Sequence, residues 1–327
     1  MNKTASQLQQ RLLAFLGGAP DDFDALAREV FAFQFERNPA YRAFCESKKI
    51  APNRLTHWTQ IPAVPTRAFK EMTLTCFPPH EAVAEFHTSG TTQSHTGRHL
   101  FKTLALYDAG CVPQFRAHLF ADGARMPIVS LVPDTPHSSL AHMCRTLGAR
   151  FVERLEATNE PVCLLGTAFH FLTLFDNGLV LRLPAGSRVM ETGGFKGRTR
   201  EISKPALYEM FEKHLGIPPT RVVNEYGMTE LSTQFYDETM RVGHRSDLKR
   251  SPPWARVRVI DPQTDEDAPV GATGLLRIYD LANLWSVMCI QTEDLGIRMG
   301  DGFVLLGRAP GAMPRGCSLN AEALQNA

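Results

Sequence analysis

Between Met126 and Gly227 the chain alternates short apolar runs with helical periods, and this alternation restricts its fold more than any other feature. "MPIVSLVPD", "EPVCLLGT", "SRVMETGG" and "TRVVNEYG" have strand length, while the intervening "SSLAHMCRTLGA", "FHFLTLFDNG" and "SKPALYEMFEKHLG" have helix length. Strands separated by helices cannot pair through tight hairpins, so the pattern predicts crossover connections and a largely parallel sheet. Residues 5–50 read as helical, from the "APDDFD" turn and the apolar spacing of "FDALAREVFAFQF". "IPAVPTRAFK" is too rich in proline for helix. After Pro252 the helical periods stop, and "ARVRVID", "GLLRIYD", "WSVMCIQ" and "GFVLLG" predict a smaller β-rich unit. The expected fold is α/β: a helical N-terminus and α/β body over 1–251, a β-rich subdomain over 252–310 and a tail over 311–327.

Composition excludes several functions. With 35 basic and 34 acidic side chains the net charge is +1, and no Lys/Arg block forms a stripe for nucleic acid. The opening "MNKTASQLQQRLLAFLGGAP" carries only a short apolar patch broken by Gln and Arg, a poor signal peptide and too short for a membrane span. A cytoplasmic protein is the expectation. The seven cysteines are scattered without a C-x-x-C pair, so neither a disulfide framework nor a zinc site is encoded. Cys45, Cys76, Cys111, Cys144, Cys163 and Cys289 have apolar neighbours and read as core thiols, whereas Cys317 lies in the polar "PRGCSLN".

In an open parallel sheet, ligands bind outside the carboxyl ends of the strands. The segments to inspect are therefore "HTSGTTQSHTG", "VPDTPHSSL", "METGGFKG" and "NEYGMTEL". The first has neither the Walker lysine nor dinucleotide-fingerprint spacing. Its chemistry still suits phosphate: Thr88, Ser89, Thr91 and Thr92 offer hydroxyls, and Gly90 lets backbone N–H groups approach an anion. A flexible polar loop has the same composition. "EYGMTE" follows a β-branched strand and adds the ring of Tyr226 and the carboxylate of Glu230. "QTEDLG" and "FVLLGR" end strands with Asp294 and Arg308, an acid and a cation of the kind a ribose requires.

In this order the segments resemble the adenylate-forming superfamily, whose marks are T-S-G-T-T-G, a Gly-Gly loop, Y-G-x-T-E, T-G-D and G-R. Over nearly its whole length the chain looks most similar to LuxE-type acyl-protein synthetases and phenylacetate-CoA ligases, and "NPAYRAFCES" and "IPAVPTRAFK" also resemble that branch. The resemblance implies an adenylate-forming N-terminal architecture without the C-terminal domain of most relatives. It implies ATP and Mg²⁺ as cofactors and a fatty or other carboxylic acid as substrate. It assigns Thr88, Ser89, Gly90, Thr91 and Thr92 to the ATP phosphates, and Gly193 and Gly194 to the adenine and acyl pocket. Tyr226 would stack on adenine, Thr229 contact the α-phosphate, Glu230 hold Mg²⁺, and Asp294 and Arg308 bind the ribose. His137, Ser138 and His142 fall where relatives line the acyl pocket, although Ser138 also reads as a helix N-cap.

Three departures matter. Gln93 stands where the family has a closing glycine and no lysine follows, leaving His95 or Arg98 to supply positive charge. "TED" replaces T-G-D and sets Glu293 beside Asp294. The lysine carried by the relatives' C-terminal domain has no counterpart here. Cys317, beside Arg315, matches the near-terminal acylated cysteine of LuxE-type relatives. The resemblance therefore implies acyl-AMP formation, transfer to Cys317 and delivery to an acyl-accepting reductase or carrier protein. A CoA ligase of the phenylacetate type and an inactive nucleotide-binding regulator are the alternatives.

Overall fold

A computed structural model describes residues 3–88, 96–193 and 202–309. Ser89, Gly90, Thr91, Thr92, Gln93, His95, Gly194, Arg315 and Cys317 lie outside the described residues. The protein is mixed α/β and divides into two compact units, one drawn from residues 1–110, 228–233 and 251–327, the other from 111–227 and 234–250.

In the first unit, the helices Lys3–Leu16, Phe23–Arg37 and Pro39–Ser47 follow one another through capped turns. Asp22 caps Phe23–Arg37 by accepting from Ala25 N, and Asn38 caps Pro39–Ser47 by accepting from Tyr41 N. The strands Ala255–Ile260, Thr273–Asp280, Cys289–Met299 and Gly302–Arg308 form an antiparallel meander. Buried Gln34 joins helix to sheet: its amide donates to Asn283 O (2.9 Å) and Leu284 O (3.1 Å) and accepts from Met288 N (3.0 Å). The β-rich segment and the N-terminal helices therefore belong to the same unit.

"IPAVPTRAFK" is a strap on this sheet. Val64–Pro65 pairs in parallel with Ile290 and Gln291, and Thr66 N donates to Gln291 O at 3.1 Å. Proline excludes helix only as far as Pro65; Ala68–Glu71, free of proline, forms a short helix. A hairpin of Ala84–His87 and Arg98–Phe101 follows.

The second unit holds the alternating elements. Ile128–Ser130 pairs in parallel with Arg150–Phe151 and Cys163–Thr167, followed by Arg188–Thr192 and Val222–Tyr226, and Phe235–Tyr236 closes the edge antiparallel. Helices Ser139–Thr146, Ala168–Asp176 and Lys204–Leu215 occupy the predicted connections. Phe171, Phe175 and Phe211 fill the core with edge-to-face contacts of 4.8 and 5.5 Å. The helix Ala105–Leu119, with Pro113 inside it, was not read from the sequence; an interior proline masks a helical period.

Candidate active site

The first unit gathers one set of predicted residues. The hairpin register sets His87 opposite Arg98, and the hydroxyl-rich segment connects the two strands beyond that pair. At that end Thr88 N donates to Gly97 O (2.9 Å) and Gly97 N donates to Thr88 Oγ1 (2.8 Å). Thr88 thus closes the base of the segment, and among the described residues its hydroxyl only accepts.

Thr229 is bound to both strands of this hairpin. Its hydroxyl donates to His87 O at 3.2 Å, and its carbonyl accepts from His99 Nδ1–H at 2.8 Å. His99 is only 2 % exposed, and burial pushes its imidazole down to about 4, so the ring is a neutral donor at physiological pH. The turn is held from its other side by two residues that sequence reasoning missed. Asn283 Nδ2 donates to Glu230 O (2.8 Å), and buried Asp280 accepts from Ser232 N (2.9 Å) and Thr233 Oγ1 (2.7 Å). Asp280 ends the strand Thr273–Asp280 and Asn283 the short turn after it, where the only signal in "YDLAN" is two polar residues beside apolar ones.

Glu230 follows Thr229 and is buried, and burial pushes its carboxyl up to about 7. Arg308 and Lys70 pull it back toward the charged form, and Asp294 opposes them. Asp294 and Arg308 face each other across adjacent strands, with Arg308 Nε 3.8 Å from Asp294 Oδ1 and the guanidinium largely in solvent. The first unit therefore brings Thr88, Thr229, Glu230, Asp294 and Arg308 into one electrostatic neighbourhood. Of the cations considered for the hydroxyl segment, Arg98 lies 3.7 Å from Glu85, which also contacts His87 at 2.7 Å.

The second unit holds the other set. Gly193 ends strand Arg188–Thr192 with φ +69, a left-handed backbone that suits glycine. Tyr226 ends the adjacent strand, is 7 % exposed and has its ring 6.2 Å from Phe235. Beneath these two strand ends is a buried cluster that was also missed. Thr192 Oγ1 donates to Glu225, and Glu191 accepts from Tyr208 OH (2.9 Å) and Asn224 Nδ2 (2.8 Å). Lys249 Nζ donates to Asn224 O at 2.6 Å. Burial pushes Glu225 up to about 7 and Lys249 down to about 8. Glu225 also explains the glycine of "EYG": a Cβ on Gly227 would lie 2.4 Å from Glu225 Oε1.

Ser138 caps helix Ser139–Thr146 by accepting from Ala141 N at 3.1 Å, so its structural reading holds. His142 Nε2 contacts Thr146 Oγ1 at 3.3 Å, and His137 is exposed. The six described cysteines are all buried. Burial pushes the Cys45, Cys163 and Cys289 thiols up to about 12 and Cys144 to about 11, and raises Cys76 further. Among the described residues no helix is long and apolar enough to cross a membrane.

Among curated proteins the chain is similar to the long-chain-fatty-acid–luciferin-component ligase of Aliivibrio fischeri, 24% identical over 84% of this chain and 78% of that one. The Vibrio harveyi ligase of the same description is 23% identical over 90% and 86%. Among solved structures, a 2-hydroxyisobutyryl-CoA ligase in complex with 2-HIB-AMP and CoA superposes with a TM-score of 0.66 at 15% identity, over 93% of this chain and 69% of that one. That likeness shows that the two chains share a fold. The family model described as "Acyl-protein synthetase, LuxE" matches residues 120–324. Since that match spans more than half of its residues, the chain belongs to the LuxE family of acyl-protein synthetases and is an AMP-forming ligase.

Proposed function

We propose that this protein activates a long-chain fatty acid with ATP and carries the acyl group on Cys317 to a partner protein. In the first step a carboxylate oxygen attacks the α-phosphorus of ATP and the bond to pyrophosphate breaks, giving acyl-AMP. The Cys317 thiolate then attacks the acyl carbonyl, and AMP leaves with the electrons of the broken C–O bond. A nucleophile on the partner, such as a reductase, accepts the acyl group and frees the thiol. The names of the two bacterial ligases support a fatty acid and a luciferin-system partner.

The observation that carries this reading is the fixing of Thr229 to both strands flanking the hydroxyl-rich segment, with Glu230 next in the chain. Two anions must approach each other in adenylation, so oriented donors and positive charge are required where they meet. Thr88 supplies a hydroxyl for the phosphates, Thr229 supplies another once it exchanges His87 O for the α-phosphate, and Asp294 and Arg308 flank the ribose. On the second unit, the family resemblance assigns Gly193 and Gly194 to adenine and acyl chain, Tyr226 to the base, and His137, Ser138 and His142 to the acyl side.

Glu230 fits a Mg²⁺ ligand. It is a buried carboxylate that burial and Asp294 hold near neutral, a penalty that a cation would relieve. Among the described residues no group of three or more His, Cys, Asp or Glu forms a metal cage, as suits an ion that takes its other ligands from substrate phosphates and water. When bound, Mg²⁺ would neutralise charge on the phosphate oxygens.

The six buried thiols are poorly suited to acyl transfer, because the thiolate is the nucleophile and burial suppresses it. This supports Cys317 as acceptor. The test is ATP–pyrophosphate exchange across a panel of fatty and aromatic acids without CoA. Long-chain acids should support exchange, and exchange with none of them, or only with CoA present, would overturn the proposal.

A further inference from the structure

The reading above leaves the phosphates without a lysine, since none follows the hydroxyl-rich segment. The strap "IPAVPTRAFK" carries one in a fixed place. Its short helix Ala68–Glu71 is held by the parallel pairing of Val64 and Pro65 with Ile290 and Gln291. Buried Phe69 packs edge-on against His99, ring centroids 5.5 Å apart, and His99 is the residue that binds Thr229. The next residue is Lys70. Its Cγ lies 3.2 Å from the position a Cβ on Gly97 would occupy, beside Thr88 Cγ2 at 3.1 Å. The lysine stem therefore crosses the base of the hydroxyl-rich segment, where glycine is the residue that leaves it room.

The head group is available. Lys70 is exposed, and among the described residues no carboxylate lies within ion-pair distance of its ammonium. Arg98 is engaged by Glu85 and Arg308 faces Asp294, so each of those cations already has a carboxylate near it. We propose that Lys70 is the phosphate-contacting cation of this protein, its ammonium meeting the β- and γ-phosphates of ATP beside Thr88 and Glu230. This rests on the ATP-dependent reading given above. A lysine ammonium acts on phosphate as a compact point charge and tolerates a solvated position, which suits a residue that binds triphosphate and releases pyrophosphate.

The test is equilibrium binding by calorimetry of Mg·ATP, AMP and inorganic tripolyphosphate to wild type, Lys70→Met and Lys70→Arg. Methionine keeps the stem over Gly97 and removes the charge. Lys70→Met should weaken Mg·ATP and tripolyphosphate by about tenfold to a hundredfold, leave AMP within about twofold, and be largely rescued by arginine. The retained AMP affinity shows that the variant is folded. Unchanged Mg·ATP affinity in Lys70→Met, or an equal loss of ATP and AMP, would overturn the assignment while leaving the ATP reading intact. Wild type that binds none of the three would overturn both.

Discussion

His99 Nδ1–H donates to the carbonyl of Thr229 across 2.8 Å, joining residues 130 positions apart and binding the Thr229–Glu230 turn to the hairpin that carries the hydroxyl-rich segment. The bond requires a neutral ring whose tautomer places its proton on Nδ1, since a carbonyl can only accept.

Burial lowers the His99 imidazole from 6.5 to about 4. A base depressed in the folded state stabilises the protein above its unfolded value and loses that contribution as pH falls through the folded one. Wild type should therefore lose on the order of 3 kcal/mol between roughly pH 6.5 and 4 from this group. His99→Gln should flatten that limb in urea titrations and weaken ATP binding, because the turn is then less firmly held.

Glu230 titrates in the opposite sense. Its carboxyl is raised from 4.5 to about 7, so the stability of the protein without ligands is full below the unfolded value and falls as pH rises through 7. Glu230→Gln should raise the melting temperature more at pH 8 than at pH 5, a gain on the order of 1–3 kcal/mol. The same variant should lower acyl-AMP formation by orders of magnitude. A fully active Glu230→Gln would remove the residue from the site.

Asp294→Ala should raise the KM for ATP about tenfold to a hundredfold, the loss of a charged acceptor for hydroxyl donors. The KM for the fatty acid should change little, and steady-state kinetics with each substrate varied in turn separates the two.

Gly227→Ala places a methyl 2.4 Å from Glu225 Oε1. Relief requires the buried carboxylate to leave Thr192, so the variant should lose about 1–3 kcal/mol in chemical denaturation. Gly227→Ala combined with Glu225→Ala should recover part of that loss, which distinguishes this clash from a general loop effect.

Strand-and-helix alternation from Met126 to Tyr226 was legible because every apolar run is bounded by a polar turn of its own. Tyr226 and Arg308 were legible as strand ends, whereas Asp294, expected to end a strand, lies inside Cys289–Met299, which continues through it to pair with Gly302–Arg308. What escaped were side chains whose role depends on a partner far away in sequence. His99 reads as one histidine in "RHLF" until Thr229 is beside it, and Glu225 reads as one residue of the strand "TRVVNEYG" until it meets Thr192. Lys70 escaped because nothing local in "IPAVPTRAFK" links the lysine to Gly97. Asp280 and Asn283 were hidden within a strand end whose apolar neighbours read as core.

The central claim, that the acyl group passes through the protein's own thiol, is tested most directly by covalent labelling with radioactive fatty acid and ATP. Wild type should take up hydroxylamine-labile label, and Cys317→Ala should take up none while retaining acid-dependent pyrophosphate exchange. Label that persists in Cys317→Ala, still labile to hydroxylamine, would contradict the account and assign the acyl group to a different acceptor.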